Sequence, residues 1–571
     1  MTDTKEIEQQ VAEIRALQAK SWPSGLPREI TYRLGKKPLS QYVRDEARAR
    51  PDDPMVHFYG RSLSWGAVDS LSDKFAGLLQ SKGVRAGDRV ALMMGNCPQF
   101  LICFWGIMKL GAVLVPVNPM FKTVELSYQL NDSGAQTLVF QDDLAPLVAQ
   151  VQAETPVKTL FATGAADMAG EVSPVPLPEG MGAAPAAEGV PRLLEEIELA
   201  VPFSGPDCTD LDAVAALNYT GGTTGMPKGC VHTHGDMLFT VAAYCGPAMP
   251  EAGAEDVVVN FFPMFWIAGE DLGVLAPVYT GAAVCILHRW DAVGWMAAVS
   301  HYGASIVTLL VDNAVEVMRH KEAGNYDLGS LGITSVCSFV KKLNPSFRDE
   351  WRALTGSTMV EAAYGMTETN TCDTFTVGFQ DDDYDLSQQP VFVGLPVAET
   401  DIIIRDFDTG ALKPLGETGE ICVRSPSVLK SYWNKPEETA HAIRDGWLHT
   451  GDIGMLNSKG FVHYLGRRKE MLKVSGMPVF PAELEMLLGR HPAVLGSGVI
   501  GRKDDKKGEV PVAFIHLDPA QAGELDADSL QAWCREQMAT FKVPEIRLVD
   551  SLPMTATGKV KKEELAALLQ G

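Results

Sequence analysis

A segment rich in glycine and threonine, Tyr219–Gly229, carries the clearest chemical signal in the sequence. It reads Tyr-Thr-Gly-Gly-Thr-Thr-Gly-Met-Pro-Lys-Gly and follows a short apolar run, Val214–Leu217, as a loop that leaves a strand would. Glycines let the backbone turn tightly and approach a ligand, while threonine hydroxyls donate hydrogen bonds and Lys228 adds a positive charge. The Gly-Lys-Ser/Thr order of a Walker A loop is missing. We predict a loop that holds a triphosphate, and the alternative is a solvent-exposed turn. The predicted nucleotide-binding positions of this loop are Thr220, Gly221, Gly222, Thr223, Thr224, Gly225 and Lys228.

Four further segments with charged or reactive side chains follow this loop along the chain. They are Tyr364–Glu368 (Tyr-Gly-Met-Thr-Glu), Trp447–Asp452 (Trp-Leu-His-Thr-Gly-Asp), Gly466–Gly476 (Gly-Arg-Arg-Lys-Glu-Met-Leu-Lys-Val-Ser-Gly) and Pro553–Lys559 (Pro-Met-Thr-Ala-Thr-Gly-Lys). Each segment alone is moderately specific. In this order, the five segments together resemble the signatures of the adenylate-forming superfamily of acyl-CoA synthetases, luciferases and peptide-synthetase adenylation domains. The resemblance spans roughly residues 45–565.

The resemblance implies an ATP-dependent carboxylic acid–CoA ligase that uses ATP, Mg²⁺ and coenzyme A. Such an enzyme converts its acid to an acyl-adenylate, releases pyrophosphate, and then makes the thioester. The difficulty of the first step is electrostatic, because an anionic carboxylate must attack an anionic α-phosphate. Cations and N–H donors aimed at the developing charge should therefore supply most of the catalysis.

The resemblance assigns roles to the Tyr364–Glu368 segment. Glu368 would be the Mg²⁺ ligand, a position that suits a hard carboxylate oxygen. Thr367 would contact the α-phosphate, and Tyr364 would stack on adenine. Thr367 and Glu368 thus join the predicted catalytic residues.

The resemblance also implies roles for three charged residues nearer the C-terminus. Asp452 would accept hydrogen bonds from the ribose hydroxyls, with Arg467 assisting. Lys559 would be the catalytic lysine that bridges the carboxylate and the α-phosphate. Taken alone, Asp452 could cap a turn, and Arg467 and Lys559 could be ordinary surface cations.

A second set of residues is implied in the thioester-forming step. In the family, a mobile C-terminal domain swings about a hinge, and Lys469 resembles the hinge residue. Lys473, Ser475 and Gly476 would then line the channel for coenzyme A. One active site would thereby serve two steps.

The sequence departs from the family pattern where the acid should bind. Trp266 stands where family members commonly have histidine, and it is predicted either to gate the acyl pocket or to be a core tryptophan. A small-residue segment is replaced by Cys337–Lys342 (Cys-Ser-Phe-Val-Lys-Lys). Phe339 and Val340 should narrow the acyl pocket, and Lys341 suggests a second anionic group on the acid.

Two other segments favour a different class of acid, so the sequence does not decide which acid is the substrate. Trp22–Arg28 and Ser431–Glu437 resemble fatty-acyl ligases. We therefore expect a fatty (medium- or long-chain) or aryl acid, with a dicarboxylate as the alternative. Transfer of the acyl group to a carrier protein and a non-catalytic nucleotide sensor are the remaining rival functions.

The elements that must position these residues follow from the hydrophobic pattern. Helical and strand patterns alternate from about Leu63 to Val117, with Ser70–Lys82 predicted as a helix and Arg89–Met94 as a strand. We expect an α/β fold whose large N-terminal domain, residues 1–468, has parallel-rich βα-layered subdomains plus a β section. Residues 469–571 should form a small, mobile α+β C-terminal domain with the catalytic lysine. Ile7, Val11, Ile14 and Leu17 predict an N-terminal amphipathic helix that either lies on the main body or contacts a second copy in a homodimer.

The composition argues against several classes of partner. The 571 residues carry a formal net charge of −23, and an acidic balance disfavours nucleic acids and anionic membranes. The ten cysteines form no CxxC pair, and the N-terminus lacks the apolar core of a signal peptide. Leu101–Val117 is apolar but short, so we expect a buried segment rather than a membrane span. These features predict a cytoplasmic protein with reduced thiols, whose partners are a small carboxylic acid and coenzyme A.

Overall fold

Two mostly parallel sheets build the part of the chain before the β section. The computed structural model describes residues 4–220, 226–362, 364–475, 477–504, 506–519, 523, 525–555 and 558–569. In the first sheet all neighbouring strands are parallel except the last pair. Its strand order is Thr159–Thr163, Thr137–Gln141, Arg89–Met93, Val113–Pro116, Val214–Tyr219 and Gly229–Thr233.

The second sheet is also mostly parallel. Its neighbouring strands are parallel except for a terminal antiparallel hairpin. The strand order is Met359–Glu361, Ile333–Cys337, Ile306–Leu310, Val257–Asn260, Ala283–Ile286, Pro54–Phe58 and Arg61–Ser64. Parallel strands need crossover connections, so helices must cover the faces of both sheets.

Those helices connect the strands of the two sheets. Pro98–Leu110 is buried along its whole length and ends at Gly111, whose left-handed backbone (φ 72°) suits a residue without a side chain. Lys109 is buried in this helix, and its ammonium lies 2.6 Å from Asp69 and 3.0 Å from Asp73. The helices are Leu39–Ala49, Trp65–Ser81, Pro98–Leu110, Thr123–Ser133, Ala145–Val151, Leu193–Leu199, His234–Ala248, Ile267–Glu270, Ala276–Thr280, Ala292–Tyr302, Val311–Arg319, Pro345–Thr355 and Tyr384–Ser387.

The helix Trp65–Ser81 begins earlier than the apolar pattern predicts. The predicted start was Ser70, whereas the helix runs from Trp65 to Ser81. Ser64 is its N-cap, because its side chain accepts a hydrogen bond from the backbone N–H of Ala67 at 3.2 Å. The prediction followed the apolar spacing and overlooked this capping serine.

An antiparallel sheet forms the predicted β section. Its strands lie between Thr374 and Arg467. The strand order is Thr374–Phe375, Val391–Pro396, Val462–Arg467, Trp447–Leu456, Gly419–Arg424 and Asp401–Arg405, with Ile443–Arg444 paired to Trp447–Leu456 and a short helix at Pro436–Ala442.

The N-terminal helix, Thr4–Ser21, packs on this antiparallel sheet. Ile7, Val11 and Ile14 are buried in one apolar cluster with sheet residues that include Ile403. Arg15 also pairs with Asp401, with an N–O distance of 2.7 Å. The helix is therefore laid on the main body, and the homodimer stays a prediction.

A smaller β/α domain follows the short turn Arg468–Glu470. Its sheet has the order Met477–Val479, Leu472–Val474, Gly508–Leu517 and Val494–Asp504, and Glu545–Leu548 runs parallel to Gly508–Leu517. Its helices are Pro481–Leu488, Ala527–Gln537 and Lys562–Leu568. The expected α/β class, with a large N-terminal part and a small C-terminal part, is confirmed. The domain boundary that we propose, between residues 468 and 469, falls in the short turn.

Two contacts join the small domain to the large one. Arg319 pairs with Asp518 at 2.7 Å. A Cβ atom on Gly496 would lie 2.4 Å from Cγ1 of Val340, so the Val340 side chain packs directly on the Gly496 backbone. No helix in the described part of the chain has the length and apolar character needed to cross a membrane.

Candidate active site

The predicted phosphate loop is closed at its base by backbone contacts. The Thr220 N–H donates to the Lys228 carbonyl at 3.0 Å, and the Lys228 N–H donates to Thr220 Oγ1 at 3.2 Å. These bonds join the end of one strand to the start of its antiparallel neighbour. Gly221, Gly222, Thr223, Thr224 and Gly225 lie outside the described residues, so their role stays a prediction.

Tyr432 joins two of the predicted site residues. Its hydroxyl donates to Glu368 Oε1 at 2.8 Å, and the Lys228 ammonium lies 4.3 Å from the centre of its ring. Burial, followed by the charge of Glu368, raises the pKa of Tyr432, so it remains a neutral donor. No sequence pattern marks Tyr432 as functional, although it lies within the Ser431–Glu437 segment.

His232 supports the backbone of the Tyr364–Glu368 segment. Its Nε2 lies 2.8 Å from the Thr367 carbonyl oxygen, so this nitrogen must carry the proton. The ring is fully buried, and Nδ1 lies 3.7 Å from Asp236. The sequence does not predict a role for His232, because a lone histidine in a strand is indistinguishable from a core residue until its partner is known.

Asp452 is the centre of a buried polar group. Tyr364 donates its hydroxyl to Asp452 Oδ2 at 2.7 Å, and Arg467 Nε lies 2.7 Å from Oδ1. Burial raises the pKa of Asp452, and the Arg467 charge and the Tyr364 hydrogen bond oppose that rise. The tyrosine ring, expected to stack on adenine, is buried with its centre 6.0 Å from that of Tyr464.

Lys559 reaches this group from the small domain. Its Nζ lies 5.1 Å from the centre of the Phe339 ring. Surrounding protein lowers the pKa of Lys559, as does the nearby charge of Arg467, whereas Asp452 raises it. The Lys559 side chain nevertheless remains exposed to solvent. The structure thus brings Lys559 and the Asp452–Arg467 pair together.

The predicted hinge and coenzyme A residues lie on the small domain. Lys469 is exposed in the short turn, and Lys473 is exposed on the strand that follows. Ser475 is exposed and has a left-handed backbone (φ 52°). Gly476 lies outside the described residues. Their roles in the second step stay predictions.

The predicted acyl-pocket residues occupy different surroundings. Trp266 is partly buried against the large apolar core, and Phe339 is partly exposed beside Lys559. Val340 is buried against Gly496 of the small domain. Lys341 Nζ lies 3.3 Å from Asp312, so this ammonium already has an acidic partner.

The fold has a large α/β part and a small C-terminal domain that meet near Lys559, and comparison with known proteins identifies the family. Residues 43–433 match the family described as AMP-binding enzyme, and residues 483–559 match its C-terminal domain. The chain belongs to the AMP-binding enzyme family. This confirms the predicted superfamily and enzyme class.

Curated relatives and solved structures agree with this assignment. A long-chain-fatty-acid–CoA ligase of Bacillus subtilis is 30% identical over 563 residues, 95% of this chain and 96% of the relative. A 4-coumarate–CoA ligase of Oryza sativa is 31% identical over 543 residues, 93% of this chain and 94% of the relative. The structure of the anthranilate CoA ligase AuaEII with anthranoyl-AMP has a TM-score of 0.80 at 25% identity, and covers 95% of this chain and 98% of its own.

Proposed function

We propose that the protein is an ATP-dependent carboxylic acid–CoA ligase that acts through an acyl-adenylate, with AMP and pyrophosphate as products. The position of Lys559 beside the Asp452–Arg467 pair supports this proposal most directly. A cation at the junction of the two domains suits an attack of one anion on another. The relatives named as CoA ligases support the thioester product.

In the first step, the chain's own groups would hold ATP and the acid together. The carboxylate forms a bond to the α-phosphorus while the bond from that phosphorus to pyrophosphate breaks. Lys228 and its loop hold the outer phosphates, Thr367 contacts the α-phosphate, and Asp452 accepts hydrogen bonds from the ribose. Lys559 neutralises charge between the carboxylate and the α-phosphate.

Glu368 fits the role of a Mg²⁺ ligand by the chemistry of its donor atoms. Its Oε1 accepts one hydrogen bond from Tyr432, and a carboxylate retains further lone pairs for a hard cation. When bound, Mg²⁺ would neutralise phosphate charge. Tyr432 would hold the carboxylate in one orientation throughout.

In the second step, the thiol of coenzyme A would attack the acyl carbon and displace AMP. We propose that the small domain turns about Lys469 for this step. Lys473, Ser475 and Gly476 would then approach the acyl-adenylate. The exposure of Lys473 and Ser475 in the present orientation supports this, because neither side chain is committed to the domain interior.

For the acid itself, we propose a monocarboxylic fatty or aryl acid. The relatives include ligases named for long-chain fatty acids and for 4-coumarate. The dicarboxylate alternative loses support, because Lys341 pairs with Asp312 and Lys342 donates to the carbonyls of Ser338 and Phe339. Transfer to a carrier protein remains the other alternative.

The test is pyrophosphate release with ATP and Mg²⁺ across a panel of fatty, aryl and dicarboxylic acids, followed by detection of the CoA thioester. We expect acid-dependent release and a thioester with free coenzyme A. Release without any thioester, together with acyl transfer to a carrier thiol, would establish the alternative. Absence of acid-dependent release across the panel would overturn the proposal.

A further inference from the structure

One face of the helix Thr123–Ser133 carries two polar side chains that contact the ends of the predicted phosphate loop. Tyr128 and Asp132 are four residues apart, so they lie one turn apart on the same face of the helix. The opposite face is buried in the apolar core of the first sheet through residues that include Leu126 and Leu130. The helix is therefore anchored on the core and gives its polar face a fixed position.

Tyr128 holds the C-terminal end of the loop. Its hydroxyl donates to the Pro227 carbonyl oxygen at 3.0 Å. Burial raises the pKa of Tyr128, as does the charge of Asp132, so the hydroxyl keeps its proton. Pro227 directly precedes Lys228, the residue predicted to hold the outer phosphates. The hydrogen bond thus restrains the backbone from which the Lys228 side chain projects.

Asp132 holds the N-terminal end of the loop. The Tyr219 hydroxyl donates to Asp132 Oδ2 at 2.8 Å, and Tyr219 directly precedes Thr220. Burial raises the pKa of Tyr219, and the charge of Asp132 raises it further, so this hydroxyl also remains a donor. The Tyr219 ring packs on Gly229, because a Cβ atom at Gly229 would lie 3.1 Å from the ring carbons. Both ends of the loop are therefore held by adjacent turns of one helix.

The same carboxylate also binds the segment that supports Glu368. Lys435 Nζ lies 3.0 Å from Asp132 Oδ1, and the Asp132 side chain is only 9% exposed. The hydrogen bond to Asp132 raises the pKa of Lys435, so the ammonium stays charged. The Lys435 backbone N–H donates to the Tyr432 carbonyl at 3.2 Å, and the Tyr432 hydroxyl donates to Glu368. One carboxylate thus joins the strand before the loop to the turn that carries Tyr432.

We propose that Tyr128 and Asp132 are positioning residues that hold Thr220 and Lys228 in the places needed to bind the β- and γ-phosphates of ATP. This inference rests on the proposed ligase function, in which Lys228 holds the outer phosphates, and it assigns the support of that contact to one helix. A binding group must be held to within about 0.5 Å by the residues behind it. The two residues act through Thr220 and Lys228 rather than on ATP itself.

The choice of ligand separates this role from a general contribution to stability. AMP and the acyl-adenylate have no β- or γ-phosphate, so their binding does not use the contacts of Lys228. Loss of the support should therefore weaken the binding of ATP and leave the binding of AMP unchanged. A merely structural role would weaken both or neither.

The first test removes only the hydroxyl of Tyr128. Isothermal titration calorimetry with Mg²⁺ and without any acid would give the Kd values of ATP and of AMP. We expect Tyr128→Phe to raise the Kd of ATP roughly 2- to 12-fold, the effect of one hydrogen bond, and to leave the Kd of AMP unchanged. Tyr42→Phe is the matched control, because the Tyr42 hydroxyl donates to the Gly35 carbonyl at 2.9 Å elsewhere in the chain. It should change neither Kd.

The second test weakens both contacts of Asp132. We expect Asp132→Asn to raise the Kd of ATP about 10- to 150-fold relative to that of AMP, because charge-assisted contacts are stronger than neutral ones. Asp401→Asn is the matched control, because Asp401 is a buried carboxylate held by Arg15 at 2.7 Å and by Arg424 at 2.9 Å. It should lower the melting temperature without changing the ratio of the two Kd values.

Because the binding measurements contain no acid, they do not depend on turnover. An unchanged ratio in Tyr128→Phe or in Asp132→Asn, or an equal loss of ATP and AMP binding, would overturn the inference even if acid-dependent pyrophosphate release is normal. A shifted ratio in a protein that releases no pyrophosphate with any acid would support the inference and defeat the ligase function.

Discussion

The Nζ atom of Lys559 lies 5.1 Å from the centre of the Phe339 ring, although the two residues belong to different domains. The contact places a cation against the aromatic face, where the ring quadrupole attracts positive charge. It also places this lysine within electrostatic reach of Asp452 and Arg467. The small domain is therefore oriented for the proposed acid-activating step.

Replacing this lysine should separate the two half-reactions. We expect Lys559→Ala to slow acid-dependent pyrophosphate release by about 10²–10³-fold, because it removes a charge-assisted contact to the reacting groups. Thioester formation from a supplied acyl-adenylate should be largely retained. Lys561→Ala is the control, because Lys561 pairs with Glu564 at 2.8 Å on the surface. Equal losses in both half-reactions would contradict the assignment.

The rate of pyrophosphate release should fall at high pH before ordinary lysines lose their protons. Lys559 must be protonated to neutralise the phosphate, and its pKa is lowered by surrounding protein and by Arg467. The alkaline limb of the pH–rate profile should therefore lie below the usual lysine pKa of about 10.4. If the alkaline limb of the pH–rate profile keeps the same midpoint pH in the Lys559→Arg variant, a group other than Lys559 controls the fall in rate.

The Tyr432–Glu368 hydrogen bond should affect the use of Mg²⁺. We expect Glu368→Gln to reduce pyrophosphate release about 10²-fold or more. Tyr432→Phe should chiefly raise the Mg²⁺ concentration needed for half-maximal rate, because the carboxylate loses the donor that orients it. Glu437→Gln, on the exposed helix nearby, is the control. A normal Mg²⁺ titration in Glu368→Gln would remove the metal role.

A methyl group at the domain interface should disfavour the present orientation. Gly496→Ala would place a Cβ 2.4 Å from Val340 Cγ1, and such overpacking typically costs about 1–3 kcal/mol. We expect pyrophosphate release to fall roughly 5- to 150-fold, while thioester formation from acyl-adenylate is spared. Gly253→Ala, with open space around it, should change neither step. If Gly496→Ala changes the rates of pyrophosphate release and of thioester formation alike, the interface has relaxed around the added methyl group.

Glu270 should make the unliganded protein less stable at alkaline pH. Burial raises the pKa of Glu270 to about 8, so the folded form holds a proton that the unfolded form has lost above about pH 4.5. Its contribution to stability is therefore full below pH 4.5 and is lost as pH rises through about 8. Glu270→Gln should raise the melting temperature at pH 9 relative to wild type. Melting curves at pH 5 and pH 9 provide the measurement, and a stability difference that does not depend on pH would contradict it.

The sequence predicted the layout of the molecule because local signals determined it. Alternating apolar patterns indicated the parallel strands, and the Trp447–Asp452 and Gly466–Gly476 segments pointed to Asp452 and Arg467. The structure brings these two side chains within 2.7 Å of each other. Both signals lie within short stretches of chain, which is why a single sequence sufficed.

What the sequence could not predict depends on contacts between distant segments. Tyr432 and His232 contact Glu368 and Thr367 through hydrogen bonds across the fold. His232 belongs to no recognised segment, and the resemblance of Ser431–Glu437 assigns no role to Tyr432. The burial of Val340 against Gly496 depends on how one domain sits on the other.

The N-terminal helix has a consequence for the order in which the protein folds during synthesis. Its Gln18 donates to the carbonyl of Gly460, and its Arg15 pairs with Asp401, which is almost as distant in sequence. At about 5–20 residues per second, the ribosome needs roughly 20–90 s to make the intervening chain. Throughout that time the apolar face with Ile7 and Val11 has no sheet to cover it. This helix is made well before the sheet that covers it, so it is among the last elements to dock, and its apolar face stays exposed to aggregation until then.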